Sequence, residues 1–195
     1  MAVVIWTLQG VTLQWGGSLP VVIGGILTEQ PAPVTGWFMI NLAEQAVLDF
    51  SITVSATTYT WIYRKPRCVP VPISPDPYTF SPPQSFAYLQ YHVPDVPNPI
   101  PFLFFRTNNA PFEINDVNYN EDYELDLPLG VEISALGEPG QIKLLTSSQV
   151  QAATGGLEWC GYSVSISPSL GGTEEFHFPI SAGWLNGRLL PTFNV

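Results

Sequence analysis

Apolar and polar side chains alternate along much of this chain, which is the pattern of half-buried β-strands. In residues 48–54 (Leu-Asp-Phe-Ser-Ile-Thr-Val) the apolar side chains fall on one face of an extended backbone and the polar ones on the other. Residues 57–63 continue the pattern with threonine, tyrosine and tryptophan, types that suit a pleated surface. The same reasoning predicts further strands at residues 2–8, 11–15, 20–27, 36–42, 86–91, 102–106, 121–127, 130–136, 141–145, 158–167, 174–179 and 184–190.

Glycine pairs and one Asn-Gly pair separate many of these strands. Asn186-Gly187 tolerates positive φ at both positions, so it predicts a tight hairpin turn. Residues 147–153 predict one short helix that begins at a serine cap and ends at Gly155. Twenty prolines and sixteen glycines disfavour longer helices. We therefore expect an all-β fold: a single domain over residues 1–195, built as an antiparallel β-sandwich or jelly-roll-like barrel.

Residues 64–101 predict a long proline-rich loop or extended arm. Eleven of the twenty prolines lie between Pro66 and Pro101, and proline cannot donate to a central strand ladder. Large aromatic residues within the stretch favour an arm that docks into a neighbouring subunit or into the parent sheet. A linker between two domains is the alternative, and an SH3-ligand pattern that begins at Arg67 is interrupted by Ile73.

The same stretch supplies the predicted interface. Three of the six basic residues are clustered at its start, and they suit the carboxylates of a neighbouring subunit, although a solvated strand end would look the same. The predicted interface residues are the three basic ones and four aromatic ones: Arg64, Lys65, Arg67, Tyr78, Phe80, Phe86 and Tyr88.

The scarcity of charge is the main functional signal. Charged residues make up 11% of the chain, against about 25% in an average soluble domain, and the net charge is −10. High aromatic content excludes a disordered chain, and the low count of six Lys and Arg residues argues against a general nucleic-acid binder. The composition favours an apolar surface that other subunits cover. An isolated β-domain with a neutral polar exterior is the alternative.

Oxygen-bearing side chains at alternate positions offer a weak calcium-loop pattern. Compared with an EF-hand, Glu121 replaces the glycine of the sharp turn and Leu127 replaces the closing glutamate. A turn over 115–120, followed by a strand with Tyr123, Leu125 and Leu127 pointing inward, is the favoured interpretation. The candidate ligands are Asp116, Asn118, Asn120 and Asp122.

The sequence contains no strong catalytic motif. We therefore predict no catalytic residues, no cofactor and no enzyme activity. The chain has two histidines, and neither a nucleophile elbow nor an H-E-x-x-H pair is present. Cys160 with His177 is a remote nucleophilic alternative. Cys68 and Cys160 fit no C-x-x-C motif, so a disulfide and two free thiols stay equally open.

These observations predict a non-enzymatic structural protein of a virus particle, such as a capsid decoration, cement or minor structural protein. It would act by forming a homo-oligomer, expected to be a trimer, and by contacting a larger protein shell. The amino terminus lacks a signal-peptide pattern, so we expect assembly in the host cytoplasm and residence in the virion, with neither membrane nor nucleic acid as a partner. The alternative is a secreted carbohydrate-binding β-sandwich that uses exposed tryptophans; a hydrolase is the third.

Overall fold

The structure is a computed structural model that describes residues 3–14, 32–41, 43–44, 46–55, 59–64, 67–72, 77–92, 99–107, 110–114, 117–156, 160–168 and 174–190. The fold is all-β, as the alternation predicts. In the described part, the elements in chain order are β1 (Val4–Leu13), β2 (Ala32–Asn41), β3 (Ala46–Val54), β4 (Tyr59–Arg64), β5 (Arg67–Pro72), β6 (Tyr78–Phe80), β7 (Ser85–His92), β8 (Ile100–Thr107), β9 (Ala110–Ile114), β10 (Val117–Pro128), a 3-10 helix (Ile133–Gly137), β11 (Gly140–Lys143), α1 (Ser147–Thr154), β12 (Gly161–Pro168) and β13 (Glu174–Leu189).

One antiparallel sheet of eleven strands forms the body of the molecule. The strand order is β6-β3-β2-β1-β13-β12-β10-β8-β7, with β11 paired to β13 and β9 paired to β10. Strands β3 and β7, which lie near opposite ends of this order, are in contact, so the sheet nearly closes into a barrel. The inward side chains form one large core that includes Trp6, Phe38, Phe105 and Tyr162. The β4–β5 hairpin forms a separate two-stranded sheet.

Strand β1 changes which residues face the core at a β-bulge. Val4, Trp6 and Leu8 are buried, and beyond the bulge Val11 and Leu13 are buried instead. Gly10 lies at this point with a φ of +58°, and the pairing register with β13 shifts between Gln9 and Thr12. The bulge joins the two predicted strands 2–8 and 11–15 into one and keeps both apolar sets inside.

The predicted hairpin turn at Asn186-Gly187 is wrong, because both residues lie within β13. This strand pairs first with β12 and then with β1 and β11, so it joins the two halves of the sheet. Gly187 is paired with Trp6 of β1. A methyl group at Gly187 would lie 2.7 Å from the Trp6 ring. The glycine is therefore there for close packing rather than for a turn.

The predicted strand at 130–136 is also wrong. Ile133–Gly137 forms a 3-10 helix instead, and the carbonyl oxygen of Leu136 accepts a hydrogen bond of 2.9 Å from Trp6 Nε1. Buried indole N–H groups need such a partner, so this contact, made over a long sequence distance, helps to hold the 3-10 conformation.

Two local predictions are corrected in detail. The helix cap is Thr146 rather than a serine: Thr146 and Gln149 form a reciprocal capping box, and α1 ends at Gly155 as predicted. Leu48 was expected on the apolar face of its strand, but it is 46% exposed. The β2–β3 register shifts between Met39 and Ile40, which turns Leu48 away from the core while Phe50 and Ile52 stay buried.

The proline-rich stretch contains strands as well as loop. Strand β5, which contains Pro70 and Pro72, pairs with β4 in the two-stranded sheet, where proline is tolerated. Strand β6 is the terminal strand of the large sheet and contains no proline. Pro101, by contrast, lies in β8, between β10 and β7 in the strand order. Strand β7 pairs with β8 over its whole length. Residues 81–84 form a turn between β6 and β7. Residues 65–66, 73–76 and 93–98 of the predicted arm lie outside the described residues.

Candidate interaction surfaces

Two of the predicted interface aromatics pack inside the protein's own core. Phe80 is fully buried. The ring of Tyr78 stacks on that of Tyr123 with centroids 3.7 Å apart. The arm was expected to dock either into a neighbouring subunit or into the parent sheet, and these two side chains pack against the parent sheet. Neither therefore offers a large free surface to a second copy.

The other two predicted aromatics begin a row of rings on the outer face of β7 and β8. Phe86 is 47% exposed, and its ring centroid lies 6.1 Å from that of Tyr88. Tyr88 stacks on Phe104 at 4.8 Å, and Phe104 stacks on Phe102 at 5.5 Å. We call Phe86, Tyr88, Phe102 and Phe104 the aromatic row. It runs from solvent at Phe86 to a second buried cluster that α1 covers through Val150.

An ion-pair group borders the aromatic row. Arg106 Nε lies 3.3 Å from a carboxylate oxygen of Glu124, and its Nη1 donates to Asp126. The guanidinium carbon lies 4.9 Å from the Phe104 ring centroid. Burial lowers the pKa of Arg106, but the hydrogen bond and the charge of Asp126 and the charge of Glu124 raise it by more. Arg106 was not among the predicted site residues. The sequence gives no signal for this group, because the strand register that brings Arg106 opposite Glu124 is known only from the structure.

Glu124 and Asp126 belong to β10, whose alternate side chains were predicted to point inward, and that prediction is confirmed. Tyr123, Leu125 and Leu127 are buried. The predicted turn over 115–120 is too long, because β9 ends at Ile114 and β10 begins at Val117.

The weak calcium candidates are spread along this extended strand. Asn118 and Asn120 belong to β10, with Asp122 two residues further on. Alternate side chains of a strand stand roughly 7 Å apart, unlike those of a curled EF-hand loop. Asp116 lies outside the described residues, and the described side chains form no cluster of three or more acidic, histidine or cysteine groups.

The basic residues are placed at the end of the β4–β5 hairpin. Arg64 pairs with Arg67 across the two strands, next to the connection that contains Lys65, which lies outside the described residues. The backbone register brings two cations to one end of a hairpin that shares no hydrogen-bonded pairing with the other described strands.

Cys160 is a free thiol and is fully buried. Burial raises its pKa to about 12, and its sulfur lies 3.3 Å from the hydroxyl of Ser147. A nucleophilic cysteine acts as the thiolate. The Cys160–His177 alternative therefore lacks an ionised nucleophile near neutral pH.

The tryptophans divide between core and surface. Trp6 is fully buried, Trp37 is half-buried, and Trp184 is 44% exposed. Trp37 and Trp184 lie on the outer face of β2 and β13. The side chain of Trp61 and the residues Trp15 and Trp159 lie outside the described part.

Comparisons with models of known protein families, with curated proteins and with solved structures found no match to this chain. None of the helices in the described ranges has the length and apolar character needed to cross a membrane.

Proposed function

We propose that this protein is a non-enzymatic structural protein that forms a homo-oligomer and binds a larger protein shell, such as the capsid of a virus particle. The observation that carries the proposal is the aromatic row: an exposed Phe86 ring stacked on Tyr88 and, through it, on rings that are already buried. Aromatic side chains anchor protein interfaces because they bury large apolar areas on a stiff frame.

Other features of the chain support assembly. Charged residues make up only 11% of the chain, and Arg106, which borders the aromatic row, is already paired with Glu124 and Asp126. Desolvating this surface therefore costs less than desolvating an average one. Within a virion, the same burial between copies and against a shell would stabilise the lattice by mass action. We expect a closed cyclic oligomer, and a trimer in particular.

The two arginines at one end of the β4–β5 hairpin, which we call the basic hairpin end, would orient one copy of the protein relative to the next. The chain carries sixteen acidic residues against six basic ones, so Arg64 and Arg67 at one end of a hairpin meet an acidic surface on any second copy. Complementary charge of this kind sets partner orientation and association rate more than affinity.

Light scattering coupled to size exclusion tests the proposal. The native chain should elute with the mass of a multimer. Phe86→Ser should raise the dissociation constant by about tenfold or more, since interface anchors contribute on the order of 2 kcal/mol each. Leu48→Ser is the matched control, because Leu48 is as exposed (46%) but lies on β3. A monomer at every concentration would rule out self-assembly.

A second experiment tests the basic hairpin end. The double variant Arg64→Glu, Arg67→Glu should slow association and weaken its dependence on salt concentration. Arg188→Glu, a change of the same charge at an exposed position of β13, should have a smaller effect. Co-sedimentation with candidate capsid shells tests the shell contact separately. A protein that forms an oligomer but co-sediments with no shell would contradict the shell-binding part of the proposal and support only the homo-oligomer.

A further inference from the structure

The outer face of β13, β1 and β2 carries two tryptophans with uncharged, hydrogen-bonding side chains between them. Thr7 of β1 lies opposite Trp37 on one side and opposite Asn186 on the other, and Gln9 lies opposite Trp184. Alternate residues of a strand share a face, so these side chains stand together. We call this surface the Trp face: Thr7, Gln9, Trp37, Trp184 and Asn186.

The two tryptophans are spaced for an extended ligand. Trp184 and Trp37 are separated by β1, hence by two strand spacings of about 5 Å each, and are offset by two residues, or roughly 7 Å, along the strands. A single small ring cannot lie on both. A chain of several ring units can contact both indoles and cross β1 between them.

The side chains between the indoles offer both donors and acceptors. Asn186 Nδ2 donates to Gln9 Oε1, which fixes the two amides against each other. That bond uses one amide group of each residue and leaves the Gln9 NH₂ group and the Asn186 carbonyl oxygen for a ligand. The Thr7 hydroxyl donates to the Asn186 backbone carbonyl at 3.3 Å, so its oxygen keeps its acceptor capacity.

Two cations border the Trp face. Lys143 of β11 lies opposite Trp184, with its Nζ 5.8 Å from the Trp184 ring centroid, and Arg188 lies two residues beyond Asn186 on β13. An exposed cation interacts only weakly with an aromatic ring, so a ligand can displace the Lys143 side chain or accept a hydrogen bond from it. A nucleic acid would need several cations here.

We propose that the Trp face binds a neutral polysaccharide of β-linked hexopyranose units. The C–H groups of such a ring carry partial positive charge and suit the negative face of an indole, while its hydroxyls suit the Gln9 and Asn186 amides. Ring faces and hydroxyls repeat along a sugar chain, as indoles and amides do across these three strands. The site does not depend on the aromatic row, which lies on β7 and β8.

Affinity electrophoresis tests this proposal with three neutral probes: hydroxyethyl cellulose, glucomannan and glycol chitin. At least one probe should retard the native protein. Trp184→Ala and Trp37→Ala should each weaken retardation by about tenfold, because each removes one ring-stacking contact; a tenfold change corresponds to about 1.4 kcal/mol. Gln9→Ala should weaken it less. Circular dichroism confirms that each variant is folded.

Leu48→Ala is the matched control, because Leu48 is 46% exposed against 44% for Trp184 and lies outside the Trp face. It should bind as the native protein does. No retardation by any probe, or equal retardation of Trp184→Ala and native protein, overturns the proposal. A loss of oligomer mass in Trp184→Ala without a change in retardation also overturns it and assigns the face to a second copy.

Discussion

The indole ring of Trp6 lies against the backbone of Gly187. The two residues are partners across β1 and β13, and a methyl group on Gly187 would lie 2.7 Å from the Trp6 Cζ2 and Cη2 atoms. Through Nε1 the indole also donates a hydrogen bond to the carbonyl oxygen of Leu136. The ring thus links two strands and the 3-10 helix, and it occupies space that only a glycine leaves open.

Gly187→Ala should therefore destabilise the protein by about 1–3 kcal/mol, the usual cost of overpacking a filled core. Urea unfolding measures the free-energy change. Gly140→Ala is the matched control: Gly140 is paired with Gly187, and a methyl group there meets nothing within 4 Å. Its effect should stay within about 1 kcal/mol. Equal losses in the two variants would contradict the packing role of Gly187.

Gly10→Ala should cost about 1–2 kcal/mol for a different reason. A methyl group at Gly10 meets no atom within 4 Å, but the φ of +58° strains any residue with a β-carbon. Gly10→Asn should cost less, because asparagine tolerates this conformation better. If both variants unfold at the same urea concentration as the native chain, the bulge does not require positive φ.

Arg106→Met should lower the free energy of unfolding by about 1–3 kcal/mol. The change leaves Asp126 and Glu124 close together without the cation that pairs both. We place the loss at the low end of that range because Glu124 is 43% exposed and partly screened by solvent. Arg188→Met, at an exposed position, should change stability by less than about 0.5 kcal/mol. Equal effects would contradict the ion-pair role of Arg106.

Cys160 should resist alkylation in the folded protein at pH 8 and react once guanidinium unfolds the chain. Its thiol is buried, with a pKa raised to about 12. Peptide mapping by mass spectrometry distinguishes Cys160 from Cys68. Rapid labelling of Cys160 under native conditions would contradict its burial.

The same shift predicts a pH dependence of stability. The pKa of Cys160 is higher in the folded than in the unfolded state, so its contribution is complete below about pH 8.5. It declines as the pH rises toward 12. The stability difference between the native chain and Cys160→Ala should therefore fall between pH 8 and pH 11. A constant difference over this range would contradict the raised pKa.

The sequence by itself determined the all-β class and most strands of the large sheet, because alternation records which side chains each strand buries. Phe50, Ile52, Tyr123 and Leu125 are buried as their patterns predict. The short helix and its end at Gly155 were also predictable, since capping depends on neighbouring residues.

Only the tertiary structure decided what depends on partners distant in the sequence. The Asn186-Gly187 pair by itself predicts a turn. The structure instead uses Gly187 to leave room for the ring of Trp6, which is distant in the sequence. The 3-10 helix at Ile133–Gly137 likewise has a distant partner in Trp6. The aromatic row and the Trp face each combine residues from several strands, because strand order brings them together. Local propensity carries no information about strand order. A sequence pattern can therefore predict a strand without predicting which strands pair with it.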